Sequence, residues 1–104
     1  MTARDLKLLA LRYKFALMQN KIPVSAIYLF GSHAKGKARQ GSDIDFCVVS
    51  GAFGRDDFKE MVTINQIAKR IAPEIEAFPV AERELKKKTN PFIEEALKIG
   101  RKII

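Results

Sequence analysis

The residues best suited to chemistry in this 104-residue chain lie in YLFGSHAKGKARQGSDIDFCVVS, Tyr28 to Ser50. Gly31 and Ser32 close one apolar run, and Asp43 and Asp45 open the next. Residues two apart on a strand face the same side, so the aspartates project together, their backbones about 7 Å apart at a rise of ~3.3 Å per residue. Paired carboxylates repel unless a cation lies between them. Hard oxygen donors at this spacing suit Mg²⁺, which binds one or two carboxylates and substrate phosphates and retains some of its waters. The plainer alternative is that both aspartates cap a loop at the strand start and lie in solvent.

Gly31 allows a sharp turn and a close backbone approach, and Ser32 adds a hydroxyl beside exposed N–H groups. A helix beginning within residues 32–37 would aim its first N–H groups at an anion such as a triphosphate. Phosphate donors at one strand end beside metal ligands at the next strand start make a metal-triphosphate site. A rival motif is Gly31 to Ala38, which nearly spells a P-loop. That loop requires Ser or Thr after its lysine and a long helix behind it. Here Ala38 follows Lys37, and Gly41-Ser42 interrupts any helix, so the P-loop reading is set aside.

The arrangement resembles the nucleotidyltransferase superfamily of DNA polymerase β, in particular its minimal nucleotidyltransferases. Their pattern of Gly-Ser, ten residues and Asp-x-Asp is met by Gly31, Ser32, Asp43 and Asp45. GSHAKGKARQGSDID also follows the finer form G-S-x-A-(R/K)-G, five residues, S-D-I-D. Lys35 stands where many relatives carry arginine, so a point charge replaces a bidentate fork. The family's third carboxylate lies on a neighbouring strand, and PEIEAFPV offers Glu74 and Glu76. Glu76 is the favoured one, because it falls inside an apolar run where an unpaired charge would be costly.

The resemblance implies that Asp43, Asp45 and Glu76 hold two Mg²⁺ ions, and that Glu76 helps to activate an acceptor hydroxyl. It assigns phosphate contacts to Gly31 and Ser32, joined by Lys35 and Ser42. The implied reaction is transfer of a nucleoside monophosphate, AMP from ATP, with release of pyrophosphate. It further implies a HEPN-domain partner whose tyrosine accepts AMP, with this chain as antitoxin in a toxin-antitoxin pair. Two readings compete: a small-molecule nucleotidyltransferase of the antibiotic-modifying kind, and a noncatalytic nucleotide- or partner-binding module. Base preference, acceptor and oligomeric state, including a homo-oligomer, are left open by the sequence.

These residues need a scaffold. Leu6, Leu9, Ala10, Tyr13, Ala16 and Leu17 repeat at helical spacing and predict a helix from Ala3 to Gln19. SAIYLF and DIDFCVV read as strands. Phe58, Met61, Val62, Asn65, Ala68 and Ile71 give a second helical stripe, stopped by Pro73. A third strand is predicted at Glu74–Val80, with Pro79 marking an edge or a strand end. ERELKKKT reads as a short helix or an exposed loop. In NPFIEEALKIGRKII, Asn90 can cap and Pro91 suits the first turn, with acids early and bases late, which predicts a final helix. The order α, β, β, α, β, α implies one domain over residues 1–104: a small mixed β-sheet packed with helices, the polymerase β-like nucleotidyltransferase fold.

The net charge of +7 favours polyanionic ligands. No aromatic stacking set or recognition-helix pattern points to specific nucleic-acid binding. No apolar run approaches the ~20 residues of a membrane span, and the charged N-terminus is unlike a signal peptide, so a cytoplasmic location is expected. Cys47, the single cysteine, sits in an apolar run and reads as a buried, inert thiol. His33 reads as an exposed loop residue rather than a base, and Lys37, Arg39 and Lys86–Lys88 as solvated cations.

Overall fold

In the computed structural model, which describes residues 2–31, 41–87 and 101–104, two helices cover one face of a four-stranded sheet. Helix α1 (Ala3–Gln19) starts at a reciprocal cap. The Asp5 N–H donates to Thr2 Oγ1 at 3.1 Å, and the Thr2 N–H donates to Asp5 Oδ2 at 2.9 Å. The Thr2 N–H also holds the Asp5 carboxyl below its ordinary range. Helix α2 (Asp57–Ile71) is capped by Asp56, whose carboxylate accepts the Lys59 N–H at 3.1 Å. Strands β1 (Ala26–Phe30), β2 (Ile44–Ser50) and β3 (Ile75–Ala81), with the two-residue β4 (Arg101–Lys102), line up as β3-β2-β1-β4. A short helix, α3 (Glu82–Lys87), follows β3 directly.

β1 and β2 are antiparallel, with Phe30 opposite Asp45, whereas β2 and β3 are parallel, with Asp45 opposite Glu76. Parallel neighbours require a crossover, and α2 supplies it. Alternation then sorts the side chains. Ile27, Leu29, Ile44, Phe46, Val48, Ile75 and Ala77 point towards α1 and α2 and form the main core with Leu9, Tyr13, Leu17, Ile64 and Ile67. Tyr13 is fully buried, stacks on Phe46 at 6.2 Å, and donates its hydroxyl to the Ile64 carbonyl at 2.7 Å. That burial raises its pKa.

The opposite face carries a smaller cluster of Ala26, Cys47, Val49 and Val80, against which Tyr28, Phe30 and Leu85 pack. Burial, reinforced by the charge of Glu84, pushes the Cys47 thiol up to about 12, so it is protonated at neutral pH and inert as expected.

β3 is an edge strand, and α2 satisfies its outer groups. The side-chain amide of Asn65 donates to the Ala77 carbonyl at 2.8 Å and accepts the Ala77 N–H at 3.0 Å. Lys69 Nζ donates to the carbonyls of Ile75 at 2.6 Å and Pro73 at 2.9 Å. Pro79 shares the parity of Ile75 and Ala77, so its missing N–H falls on this outer edge and costs no bond to β2.

Two expectations change. Arg101 and Lys102 form β4 against Leu29 and Tyr28, so a final helix does not reach the C-terminus; residues 88–100, with its expected start at Asn90 and Pro91, lie outside the described residues. Ile103 and Ile104 pack against the chain's own core. In α2, Phe58, Met61 and Val62 are exposed, and the inward stripe is Ile64, Ile67 and Ala68, with Ile71 partly buried beside them. ERELKK takes the helical of its two readings. Among the described residues no helix is long and apolar enough to cross a membrane.

Candidate active site

Each candidate carboxylate is placed by strand position. Asp43 is exposed immediately before β2, and Asp45 is half-buried as the second residue of that strand. Their neighbour Ile44 turns inward to the core, at 1% exposure. The parallel register sets Glu76 beside Asp45, and partners in register share a face of the sheet. Ile75 and Ala77 flank Glu76 and are buried, so the same alternation aims Glu76 away from α1 and α2. Glu76 is exposed, which corrects the reason given for favouring it: no buried charge demands a partner there. What distinguishes it is the register. Glu74 lies in the turn before β3, half-buried, and its carbonyl accepts the Ile44 N–H at 2.8 Å.

Gly31 meets this group from β1. Its φ of +75° lies in the left-handed region, where a side chain is strained. A Cβ at residue 31 would overlap Asp45 Oδ2 and come within 3.2 Å of Asp45 Cγ. The backbone that turns out of β1 therefore passes against the Asp45 carboxylate in a way only glycine permits. The first residue of one motif half lies against the last residue of the other.

Sequence reasoning missed the apolar wall beside these groups. Phe30 is the register partner of Asp45, and Phe78 lies two residues beyond Glu76 on the same face. Their rings meet edge to face at 5.3 Å across β2. The signal was present: in YLF and EAF the period of two that turns Leu29 and Ala77 inward also brings Phe30 and Phe78 to the carboxylate face.

Gly31, Asp45 and Glu76 thus meet at one end of the sheet, on the face opposite α1 and α2, and Asp43 is exposed just before β2. Ser42 is half-buried, one residue before Asp43. Ser32 and Lys35 lie outside the described residues, as do His33, Lys37 and Arg39. Among the described residues no three His, Cys, Asp or Glu side chains form a group that could hold a metal ion. Mg²⁺ needs only one or two carboxylates when phosphates and water fill its remaining positions.

Residues 15–104 match the family model described as Polymerase beta, Nucleotidyltransferase. The chain belongs to the polymerase β nucleotidyltransferase family. Both halves of the motif in this nucleotidyltransferase-family chain, and Glu76, fall within the matched span.

Two solved structures share the fold. One is a Sulfolobus solfataricus protein described as a nucleotidyltransferase, 22% identical, with a TM-score of 0.60 over 82% of this chain and 75% of that one. The other is a toxin-antitoxin structure with AMP-PNP, 23% identical, with a TM-score of 0.61 over 89% of this chain and 71% of that one. At this identity they speak for the fold alone. No curated protein sequence matches this one significantly.

Proposed function

We propose that the chain is a Mg²⁺-dependent nucleotidyltransferase that moves AMP from ATP to a hydroxyl of a partner protein. The acceptor in this reading is a tyrosine of a HEPN-domain toxin, and the chain is its cytoplasmic antitoxin. The observation that carries the transferase reading is the contact of the Gly31 turn with Asp45, with Glu76 beside Asp45 in the parallel register. The choice of ATP and of a protein partner is supported by the toxin-antitoxin neighbour with AMP-PNP.

In this reading the backbone at Gly31 and the Ser32 hydroxyl hold the β and γ phosphates, with Lys35 and Ser42 as further phosphate contacts. Asp43, Asp45 and Glu76 are the residues that would hold Mg²⁺. When bound, the metal neutralises triphosphate charge and lowers the pKa of the acceptor hydroxyl, two ions sharing these tasks. The acceptor oxygen attacks the α phosphorus, forming an O–P bond as the bond to the bridging oxygen breaks and pyrophosphate leaves. Glu76, the exposed member of the register pair, helps to remove the acceptor's proton.

The test is incubation of the protein with Mg²⁺ and α-labelled ATP in lysate of its source cells. A γ-labelled parallel and an Asp43→Asn/Asp45→Asn control accompany it. Label from the α position alone, lost in the double variant, is the expected result, and the labelled species identifies the acceptor. A folded protein that binds ATP without α transfer above that control would replace this reading with the noncatalytic module.

A further inference from the structure

Helix α1 has two apolar stripes, and the core uses only one. Leu6, Leu9, Ala10, Tyr13 and Leu17 are buried. Leu8, Leu11, Phe15 and Met18 face outward, 52%, 42%, 64% and 53% exposed. Isolated exposed apolar side chains are ordinary on a protein surface, but these are aligned. Their spacing of three, four and three residues is the a/d pattern of a helix-helix seam. At about 100° per residue they occupy a sector ~80° wide, nearly opposite the buried stripe.

The flanks of this seam choose among occupants. Lys7 and Lys14 border it on one side and Arg12 on the other. The one acid of the helix, Asp5, is engaged in the cap with Thr2. A second copy laid on the same seam would set cation against cation in a chain of net charge +7. Nucleic acid would match the cations and leave the apolar row unused. A bilayer surface favours a broad apolar face, whereas this row is narrow and suits one helix.

We propose that the outer face of α1 is a docking site for an acidic amphipathic helix of a partner protein, whose apolar stripe fills the seam and whose carboxylates meet Lys7, Arg12 and Lys14. The inference is independent of nucleotidyl transfer. The sheet separates α1 from Asp45 and Glu76, so a partner docked there leaves the carboxylate face uncovered.

The probe is a synthetic peptide about three heptads long, with Leu at a and d and Glu at e and g. Its control carries Lys at e and g, and binding to the full chain is followed by fluorescence anisotropy. The Glu peptide is expected to bind at least about tenfold more tightly than the Lys peptide, with an affinity that falls as salt rises. Phe15→Ser/Met18→Ser, at exposed positions, weakens it at least about tenfold, and Lys7→Glu/Lys14→Glu reverses the preference. Circular dichroism checks that both variants keep the parent fold.

Equal binding of the two peptides, or binding indifferent to Phe15→Ser/Met18→Ser, would overturn the proposal. Sedimentation showing self-association that this variant abolishes would assign the seam to a second copy and also overturn it. So would Phe15- and Met18-dependent binding to phosphatidylglycerol vesicles without binding of the Glu peptide.

Discussion

The two faces of the sheet differ in kind although they are built from the same strands. Phe46 and Asp45 are adjacent in β2, yet Phe46 is 0% exposed beneath α1 and α2 while Asp45 is half-buried on the far side beside Glu76 and the Gly31 turn. The inner face joins strands and helices in one continuous apolar cluster, whereas the outer face has a small cluster of four buried residues and the candidate carboxylates. Period two in the strand therefore divides stability from chemistry one residue at a time. The division holds at the start of β2, where substitution of Asp45 or Phe46 should affect mainly one property. Further along, Cys47 and Val49 share the parity of Asp45 but are buried and serve stability.

The largest expected effect lies on the inner face. Phe46→Ala removes the ring that stacks on Tyr13 and should cost about 3–5 kcal/mol of stability, measured by urea unfolding. A loss below ~1 kcal/mol would mean that the main core does not depend on this layer. Its mirror image one residue away is Asp45→Asn. That change should lower α-labelled transfer by about 10²–10³-fold, the scale of losing a principal electrostatic group, while the melting temperature stays near that of the parent. A melting temperature that falls as far as that of Phe46→Ala would break the division between faces.

The next effect concerns the edge. Asn65→Ala strips both partners from the Ala77 backbone and should destabilise by about 1–3 kcal/mol, with faster amide exchange at Ala77. Unchanged exchange there would show that the Asn65 amide is dispensable to the edge.

The smallest effect is a pH dependence. Burial alone would raise the Glu60 pKa, but the N–H groups of Gly54, Arg55 and Asp56 outweigh it and lower the value. A folded pKa below the unfolded value of about 4.5 stabilises the protein above that pH, and the contribution disappears as pH falls through the folded value. Glu60→Gln should therefore be less stable than the parent at pH 7, and the two should converge as pH falls through the lowered folded value in parallel urea titrations. A gap that persists in acid would assign the effect to packing.

Local signals located most of the scaffold. The stripe of Leu6, Leu9, Ala10, Tyr13 and Leu17 placed α1 over the residues observed, and the apolar runs ending at Phe30 and beginning at Ile44 placed β1 and β2. What stayed hidden was non-local. Helical period alone could not choose between the two apolar stripes of α2, because each is regular; packing against the sheet chose Ile64 and Ile67. The acid-to-base gradient after Asn90 favoured a helix to the C-terminus, yet Arg101 and Lys102 pair with β1 as a two-residue strand. Asp43 and Asp45 could be put side by side from period two, whereas the position of Glu76 beside Asp45 required the parallel register. Its exposure overturns the buried-charge argument and leaves alternation as the signal that was readable.

The Asn65 clasp also bears on how copies of this chain meet one another. An edge strand with open N–H and carbonyl groups is a template on which a foreign strand can grow, the first step towards sheet-to-sheet fusion and fibrils. Asn65 and Lys69 occupy the outward groups of Ile75 and Ala77, Pro79 offers no donor at the next outward position, and β4 at the other edge is only two residues long. A helix that serves as the crossover between β2 and β3 thus also acts as a guard against polymerisation, through the side chains of Asn65 and Lys69.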